Sequence, residues 1–126
     1  MIFILLIPRF MRGKATEDEI HKSIVQFLKY RLPDAIIHHS PNEGRSTINW
    51  KMRQKSLGTV FGWPDLEVFV PNFSPIFIEV KRPKAYLNAN QKAVKQQFDN
   101  LNLHYFVCRS VDDVMHNFCM IGVFRV

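Results

Sequence analysis

The order of hydrophobic patterns predicts an α/β or α+β domain built on one central sheet. Segments with apolar residues at three- and four-residue spacing alternate with short apolar runs of strand length, and Pro, Gly and Asn fall between them. Size and continuity point the same way: 126 residues suit one domain, and no repeat, low-complexity stretch or linker divides the chain. Residues 1–126 are therefore read as a single domain. With 47% hydrophobic and 22% charged residues, and 11 Phe among the former, a packed core is within reach.

Taken in order, Ile2-Phe3-Ile4-Leu5-Leu6-Ile7 is strongly apolar, but Pro8 and Arg9 end it after six residues. A spanning helix needs roughly 20 apolar residues, and a signal peptide a basic start, a longer apolar run and a small-residue cleavage site. Residues 1–11 then read either as a short first strand or as an extension ahead of a chain that begins at Met11. From Thr16 the pattern is helical, with Ile20, Ile24, Phe27, Leu28 and Arg31 on one stripe and Pro33 as the stop. Thr16 suits an N-cap, and Asp18-Glu19 suit the positive end of the helix dipole. Ala35–His39 reads as a strand, and Ser40-Pro41-Asn42-Glu43-Gly44 as a turn.

A second helix is expected from Ser46 to Leu57, with Ile48 and Met52 on one side and Gly58 as its stop. Leu66–Val70 and Ile76–Lys81 read as strands joined by Pro71-Asn72-Phe73-Ser74-Pro75, which makes them a hairpin. A third helix spans Asn88–Leu101 with Val94, Phe98 and Leu101 facing the core. His104–Cys108 follows as a strand, Val111–Phe118 as a short helix and Met120–Val126 as a last apolar strand. Cys108 and Cys119 are too few for a disulfide framework and lack metal-type spacing, so both read as ordinary buried thiols in a reducing cytoplasm.

Chemistry concentrates in two places. In Gly62-Trp63-Pro64-Asp65-Leu66, a Gly and a Pro set a sharp turn that delivers Asp65 to the mouth of a strand. In Phe77-Ile78-Glu79-Val80-Lys81-Arg82-Pro83, Glu79 and Lys81 are two apart on a strand and share a face, while Ile78 and Val80 take the other. A carboxylate and an ammonium on an otherwise apolar strand need a reason, because burying charge is costly. Each feature alone has a bland account, a turn aspartate or a solvated salt-bridge face. Paired in the hairpin, Asp65 would lie beside Glu79 or Lys81, and two adjacent carboxylates call for a cation between them. Oxygen ligands with water positions to spare suit Mg²⁺ or Mn²⁺.

The set resembles the PD-(D/E)xK nuclease superfamily and, within it, the VRR-NUC (virus-type replication-repair nuclease) family. The residues that carry the likeness are Pro41-Asn42-Glu43-Gly44-Arg45-Ser46, Gly62-Trp63-Pro64-Asp65-Leu66, Ile78-Glu79-Val80-Lys81-Arg82-Pro83, Gln91, and Cys108-Arg109-Ser110-Val111-Asp112-Asp113-Val114. The likeness runs from about Glu17 to Val114. The resemblance implies a restriction-endonuclease-like α/β domain with a mixed sheet flanked by helices. It also implies that Asp65, Glu79 and the Val80 carbonyl bind metal, that Lys81 is catalytic, and that an acid on the first helix completes the site. Glu17 shares the stripe of Ile20 and Ile24 whereas Glu19 leaves it, so Glu17 is the expected acid. Gln91 resembles the family's helix glutamine, but Asn88-x-x-Gln91 also fits a capping box.

A formal charge of +6 and a sequence pI near 9.6 suit a polyanionic partner, nucleic acid or an anionic membrane surface. Arg45, Lys51, Arg53 and Lys55 fall between Gly44 and Pro64 with no acid among them, and Asn42 and Gly44 would let backbone N–H groups approach a phosphate. This segment is the expected DNA contact. No reading module accompanies it, so sequence-specific recognition is not expected. Stand-alone members of the resembled family are similar to phage-encoded Holliday-junction resolvases. That implies branched DNA as substrate, the cytoplasm of a bacterial or phage-infected cell as location, and DNA repair as context. A two-fold symmetric junction further implies a homodimer, and no membrane partner is expected. The apolar run Phe118, Met120, Ile121, Val123, Phe124 and Val126 either pairs with a second copy as an exposed edge or completes the monomer core.

Overall fold

The computed structural model describes residues 15–41 and 47–125. Its elements are α1 (Glu17–Arg31), β1 (Ile36–His39), α2 (Ile48–Ser56), β2 (Leu66–Phe69), β3 (Ile76–Val80), α3 (Ala89–Asn100), β4 (His104–Cys108) and α4 (Val111–Met120). The strands form one sheet in the order β1-β2-β3-β4, antiparallel from β1 to β3 and parallel between β3 and β4. The sheet is therefore mixed, and helices cover both faces, as the α/β expectation requires.

Why α1 forms is visible at its start. Thr16 accepts a hydrogen bond from the Glu19 N–H while the Glu19 carboxylate accepts one from the Thr16 N–H, a complete capping box. Ile20, Ile24, Phe27 and Leu28 then repeat on one stripe and are buried against the sheet. That stripe, the α4 residues Val111, Val114 and Phe118, and the sheet residues Leu66, Val68, Ile76, Ile78, Val80 and Cys108 make the larger core.

On the opposite face, α3 lays Val94 and Phe98 over Phe77 and Tyr105, with Trp63, Leu103 and Val107 around them. Every residue of β3 is buried. A strand covered on both faces and flanked on both sides leaves no room for a solvated position, which is why Ile76–Val80 lacks polar alternation. The link from β3 through α3 to parallel β4 is the crossover that parallel pairing demands. Leu101, expected on the core face of α3, is the helix C-cap and is exposed. There the chain turns away through Asn102, whose positive φ of 57° ends the helical face.

Helix α2 is held by local chemistry. The Thr47 hydroxyl accepts from the Trp50 N–H, but none of the helix residues is buried, and Ile48 and Met52 both face solvent. Among the described residues, no helix is long and apolar enough to cross a membrane.

The C-terminal segment departs from expectation. Met120 is the last residue of α4, and no strand follows it among the described residues. Gly122, at φ 84°, reverses the chain, and the N–H groups of Val123 and Phe124 both donate back to the Phe118 carbonyl. Those donors are spent within the chain, so the open edge proposed for pairing with a second copy does not exist here. Phe124 instead enters the core. Its ring lies 5.3 Å from that of Phe118 and 5.8 Å from that of Phe27, under the Arg31 guanidinium at 4.3 Å. Val126, the end of the expected strand, and residues 1–11 lie outside the described residues.

Phe124→Ala should accordingly cost about 3 kcal/mol in denaturant unfolding, the magnitude of emptying a buried aromatic site. The oligomeric mass by light scattering should not change.

Candidate functional site

The hairpin register pairs Leu66 with Ile78, so one step further along places Asp65 opposite Glu79. Backbone and side chains then fix Asp65 at two points. Its Oδ2 accepts the Val80 N–H at 2.8 Å. Its carbonyl accepts the Ser40 N–H at 3.1 Å and meets His39 Nδ1 at 3.0 Å.

Glu79 is 2% exposed. Its Oε1 accepts a hydrogen bond from Gln91 Nε2 at 2.9 Å, whereas its Oε2 is buried without a partner. Burial first, and then the charge and hydrogen-bonding contact of Asp65, raise the Glu79 carboxyl pKa to about 9. Lys81 opposes the rise, and Glu17 adds further repulsion. Two carboxylate oxygens cannot hydrogen-bond without a proton between them. The pair is therefore relieved by a proton on one of the two carboxyl groups or by a cation beside them.

The loop before Asp65 is set by a close backbone approach. Gly62 has φ 87°, and a Cβ there would lie 2.5 Å from the carbonyl carbon of Asn90 in the first turn of α3. No other residue fits that spacing. Trp63 donates its indole N–H to Glu67 at 2.7 Å and stacks edge-on against Phe77 and Phe98. Pro64 is buried. The loop is thus seated on α3, and α3 carries Gln91.

Gln91 closes the expected capping box and also reaches Glu79. Its Oε1 accepts the Asn88 N–H at 2.9 Å and its N–H donates to Asn88 Oδ1 at 2.9 Å, closing the capping box. Its Nε2, the other end of the same amide, donates to Glu79.

The two acids of α1 are separated by their partners. The Glu19 carboxylate is used by Thr16. Glu17, half-buried, is the one whose charge reaches Glu79. Lys81 follows β3, its backbone N–H bonded to the Cys108 carbonyl at 3.1 Å, and its charge also reaches Glu79. Val80 contributes its N–H to Asp65, and its side chain faces the larger core. Lys51, Arg53 and Lys55 are all exposed on α2, with Trp50 half-buried among them. Asn42, Gly44 and Arg45 lie outside the described residues.

Sequence reasoning gave no role to three neighbours of the site. His39 touches Asp65 directly, and His21, one turn after Glu17 on α1, meets the His39 ring edge-to-face at 4.6 Å. Burial, then the nearby His39, lowers the His21 pKa, with Asp65 and Asp18 opposing. A search for metal-ligand spacing passes over both rings, although the helical spacing of Glu17 and His21 places them on one face. Arg109 spans from the end of β4 to the Ala85 carbonyl at 2.7 Å, while its own N–H is held by Asp113. It ties down the loop that follows Lys81. Of the thiols, Cys108 is fully buried and its pKa is pushed up to about 12, chiefly by burial; Cys119 is half-buried.

Among the described residues, no three His, Cys, Asp or Glu side chains are gathered tightly enough to cage an ion. What is present is two facing carboxyl groups, one oxygen of which is buried and unpartnered, with Glu17 farther out. Hard oxygen donors in that number fit a divalent ion that keeps most of its water, as Mg²⁺ does.

A family model described as the VRR-NUC domain matches residues 14–112. A solved structure described as "VRR_NUC domain protein" superposes with a TM-score of 0.68 at 22% identity, over 86% of this chain and 88% of that one. At that identity the likeness concerns the fold. Comparison with curated proteins gives no significant match.

The raised Glu79 pKa fixes a sign for stability. The fold favours the protonated carboxyl, so this contribution is complete below the ordinary carboxyl pKa near 4.5 and is lost as pH rises toward about 9. Without divalent ions, the melting temperature of the wild type should fall between pH 5 and 9, and that of Glu79→Gln should fall less. Parallel profiles for the two proteins would mean that Glu79 is not held in its neutral form.

Proposed function

The chain belongs to the VRR-NUC family, a family of nuclease domains, and from that premise we propose that it is a Mg²⁺- or Mn²⁺-dependent DNA endonuclease acting on branched DNA, Holliday junctions foremost. The observation that carries the reading is the buried Glu79 carboxyl, its Oε2 without a hydrogen-bond partner, set against the charges of Asp65 and Lys81. A pair of carboxyl groups held together at the cost of a raised pKa is what a divalent-ion site requires before the ion arrives.

In this reading Asp65, Glu79 and the Val80 carbonyl hold the ion, and Glu17 completes the acidic set from α1. The ion, when bound, supplies charge that polarises the phosphoryl oxygen and acidifies water. The chain's own residues do the rest. Gln91 holds Glu79 Oε1, which leaves Oε2 without a hydrogen-bond partner in the chain. Val80 N–H holds Asp65 Oδ2 and so orients the second carboxyl group. Lys81 neutralises charge building on the phosphate or orients the attacking water. Water adds to phosphorus, the bond to the leaving oxygen breaks, and the products are a phosphate monoester and a hydroxyl.

Lys51, Arg53 and Lys55 give α2 a cationic, solvent-facing surface suited to the DNA backbone. The apolar Ile48 and Met52 on the same helix face solvent as well. Backbone contacts of this kind position DNA without reading its sequence. Matched cuts across a two-fold symmetric junction need two active sites, so the functional unit is a homodimer. Phe118 and Phe124 of the C-terminal run are taken up by the core, so the dimer surface is sought elsewhere.

Asp65→Ala, Glu79→Ala and Lys81→Ala should each slow cleavage of a labelled four-way junction at least roughly a hundredfold in Mg²⁺ or Mn²⁺, while junction binding persists. Metal-dependent cleavage at the wild-type rate in any of the three would remove that residue from the site. Junction binding without cleavage by the wild type in either metal would reduce the protein to a binding module.

Replacing Lys51, Arg53 and Lys55 together by Gln should weaken junction binding and flatten its dependence on salt, since fewer counterions are released. An unchanged slope of affinity against salt would place the DNA path off α2.

A further inference from the structure

The hydrogen bonds around Asp65 single out a residue that no motif contains. A carbonyl oxygen only accepts, so the contact between His39 Nδ1 and the Asp65 carbonyl at 3.0 Å fixes the ring as the Nδ1–H form. The same carbonyl takes the Ser40 N–H at 3.1 Å, and the carboxylate of the same residue takes the Val80 N–H at 2.8 Å. Asp65 is therefore clamped at both ends. Its peptide plane is set by β1, and its carboxylate is set by β3.

His39 is exposed, and an exposed ring gains little from one hydrogen bond to a carbonyl, because water competes for the donor. What removes its freedom is His21. The two rings meet edge-to-face at 4.6 Å and an interplanar angle of 84°, beside a groove of about 340 Å³ that His21, His39, Lys22, Val25 and Gln26 line. His21 is half-buried on α1, one turn beyond Glu17. The ring pair thus joins the helix that carries Glu17 to the loop that carries Asp65.

We propose that His39, braced by His21, is a positioning residue that fixes the Asp65 backbone and thereby the direction of the Asp65 carboxylate toward Glu79. The inference rests on the reading of Asp65 as part of the nuclease site, and it deepens that reading by naming what holds the residue. His39 touches neither substrate nor ion in this scheme. Its effect appears in the rate of the chemical step and leaves DNA affinity alone.

A matched pair of variants tests it. His39→Asn places an amide N–H where Nδ1–H stood, whereas His39→Gln carries its amide one carbon farther and misses the Asp65 carbonyl. Backbone hydrogen exchange at Val80, whose N–H is bonded to Asp65 Oδ2, reports the clamp without any catalysis. In His39→Gln the Val80 amide should exchange about tenfold faster than in His39→Asn, with Ile78 unchanged between them. On a four-way junction, kcat of His39→Gln should fall about tenfold with KM within about twofold, and His39→Asn should recover most of the loss. His39→Phe, which keeps a ring against His21 but has no N–H, should match His39→Gln, and it takes that variant's place if the glutamine does not fold. Wild-type Val80 exchange and wild-type kcat in either variant that cannot reach the Asp65 carbonyl would overturn the proposal. A wild type that cuts no DNA would end the nuclease reading, while the Val80 exchange rates would still decide the clamp.

Discussion

Asp65 and Glu79 bring two carboxyl groups together at the end of β2 and β3, where one of them has almost no access to water, and the cost of that meeting shapes the surrounding structure. A buried carboxylate beside another is unfavourable unless hydrogen bonds, a cation or a proton compensate. Gln91 and the Val80 N–H supply part of the compensation, and the Lys81 charge another part. Glu79 Oε2 is left over. In the absence of an ion the remainder is met by a proton, which is why the Glu79 pKa is driven toward 9. On the metal-site reading proposed above, that proton is what a bound ion would replace.

Several local features have their reason in that pair. Glu79 is buried only because β3 is covered on both faces, by α1 and α4 on one side and α3 on the other. Gln91 reaches it only because α3 starts where the Gly62 loop permits, with the backbones of Gly62 and Asn90 too close for any side chain between them. The same capping box that begins α3 leaves one end of the Gln91 amide free for Glu79. Local helix chemistry and site geometry are thus served by a single side chain. On the far side, Arg109 holds the loop after Lys81 through Ala85. The rigid parts are those next to the carboxyl pair, whereas α2, with its cations and exposed apolar residues, buries nothing.

The sequence made most of this legible because the decisive features are periodic or local. Period-two alternation puts Glu79 and Lys81 on one face, and the short Pro/Asn/Ser connection between β2 and β3 sets the hairpin that brings Asp65 opposite Glu79. Helical spacing distinguishes Glu17 from Glu19, and the capping box then gives Glu19 its own task. The failures come from tertiary context. Met120–Phe124 has the composition of a strand, but Gly122 reverses the chain and Phe124 finds a site between Phe27 and Phe118 that no local pattern encodes. Leu101 has the right spacing for the core of α3, yet it sits where the helix ends. His21 and His39 lie on different elements, and their contact exists only once α1 packs over β1. Hydrophobic spacing says which face is buried, and it does not say which polar groups meet across two elements.

The central claim is that the Asp65–Glu79 pair exchanges a proton for a divalent ion. Calorimetric titration of Mn²⁺ into the DNA-free protein at pH 7, in two buffers of different ionisation enthalpy, measures this directly. Binding should release about one proton per ion, as ligand deprotonation requires, and both the heat and the proton release should disappear in Glu79→Gln. Mn²⁺ binding of equal strength in Glu79→Gln, or binding with no proton released by the wild type, would contradict the account.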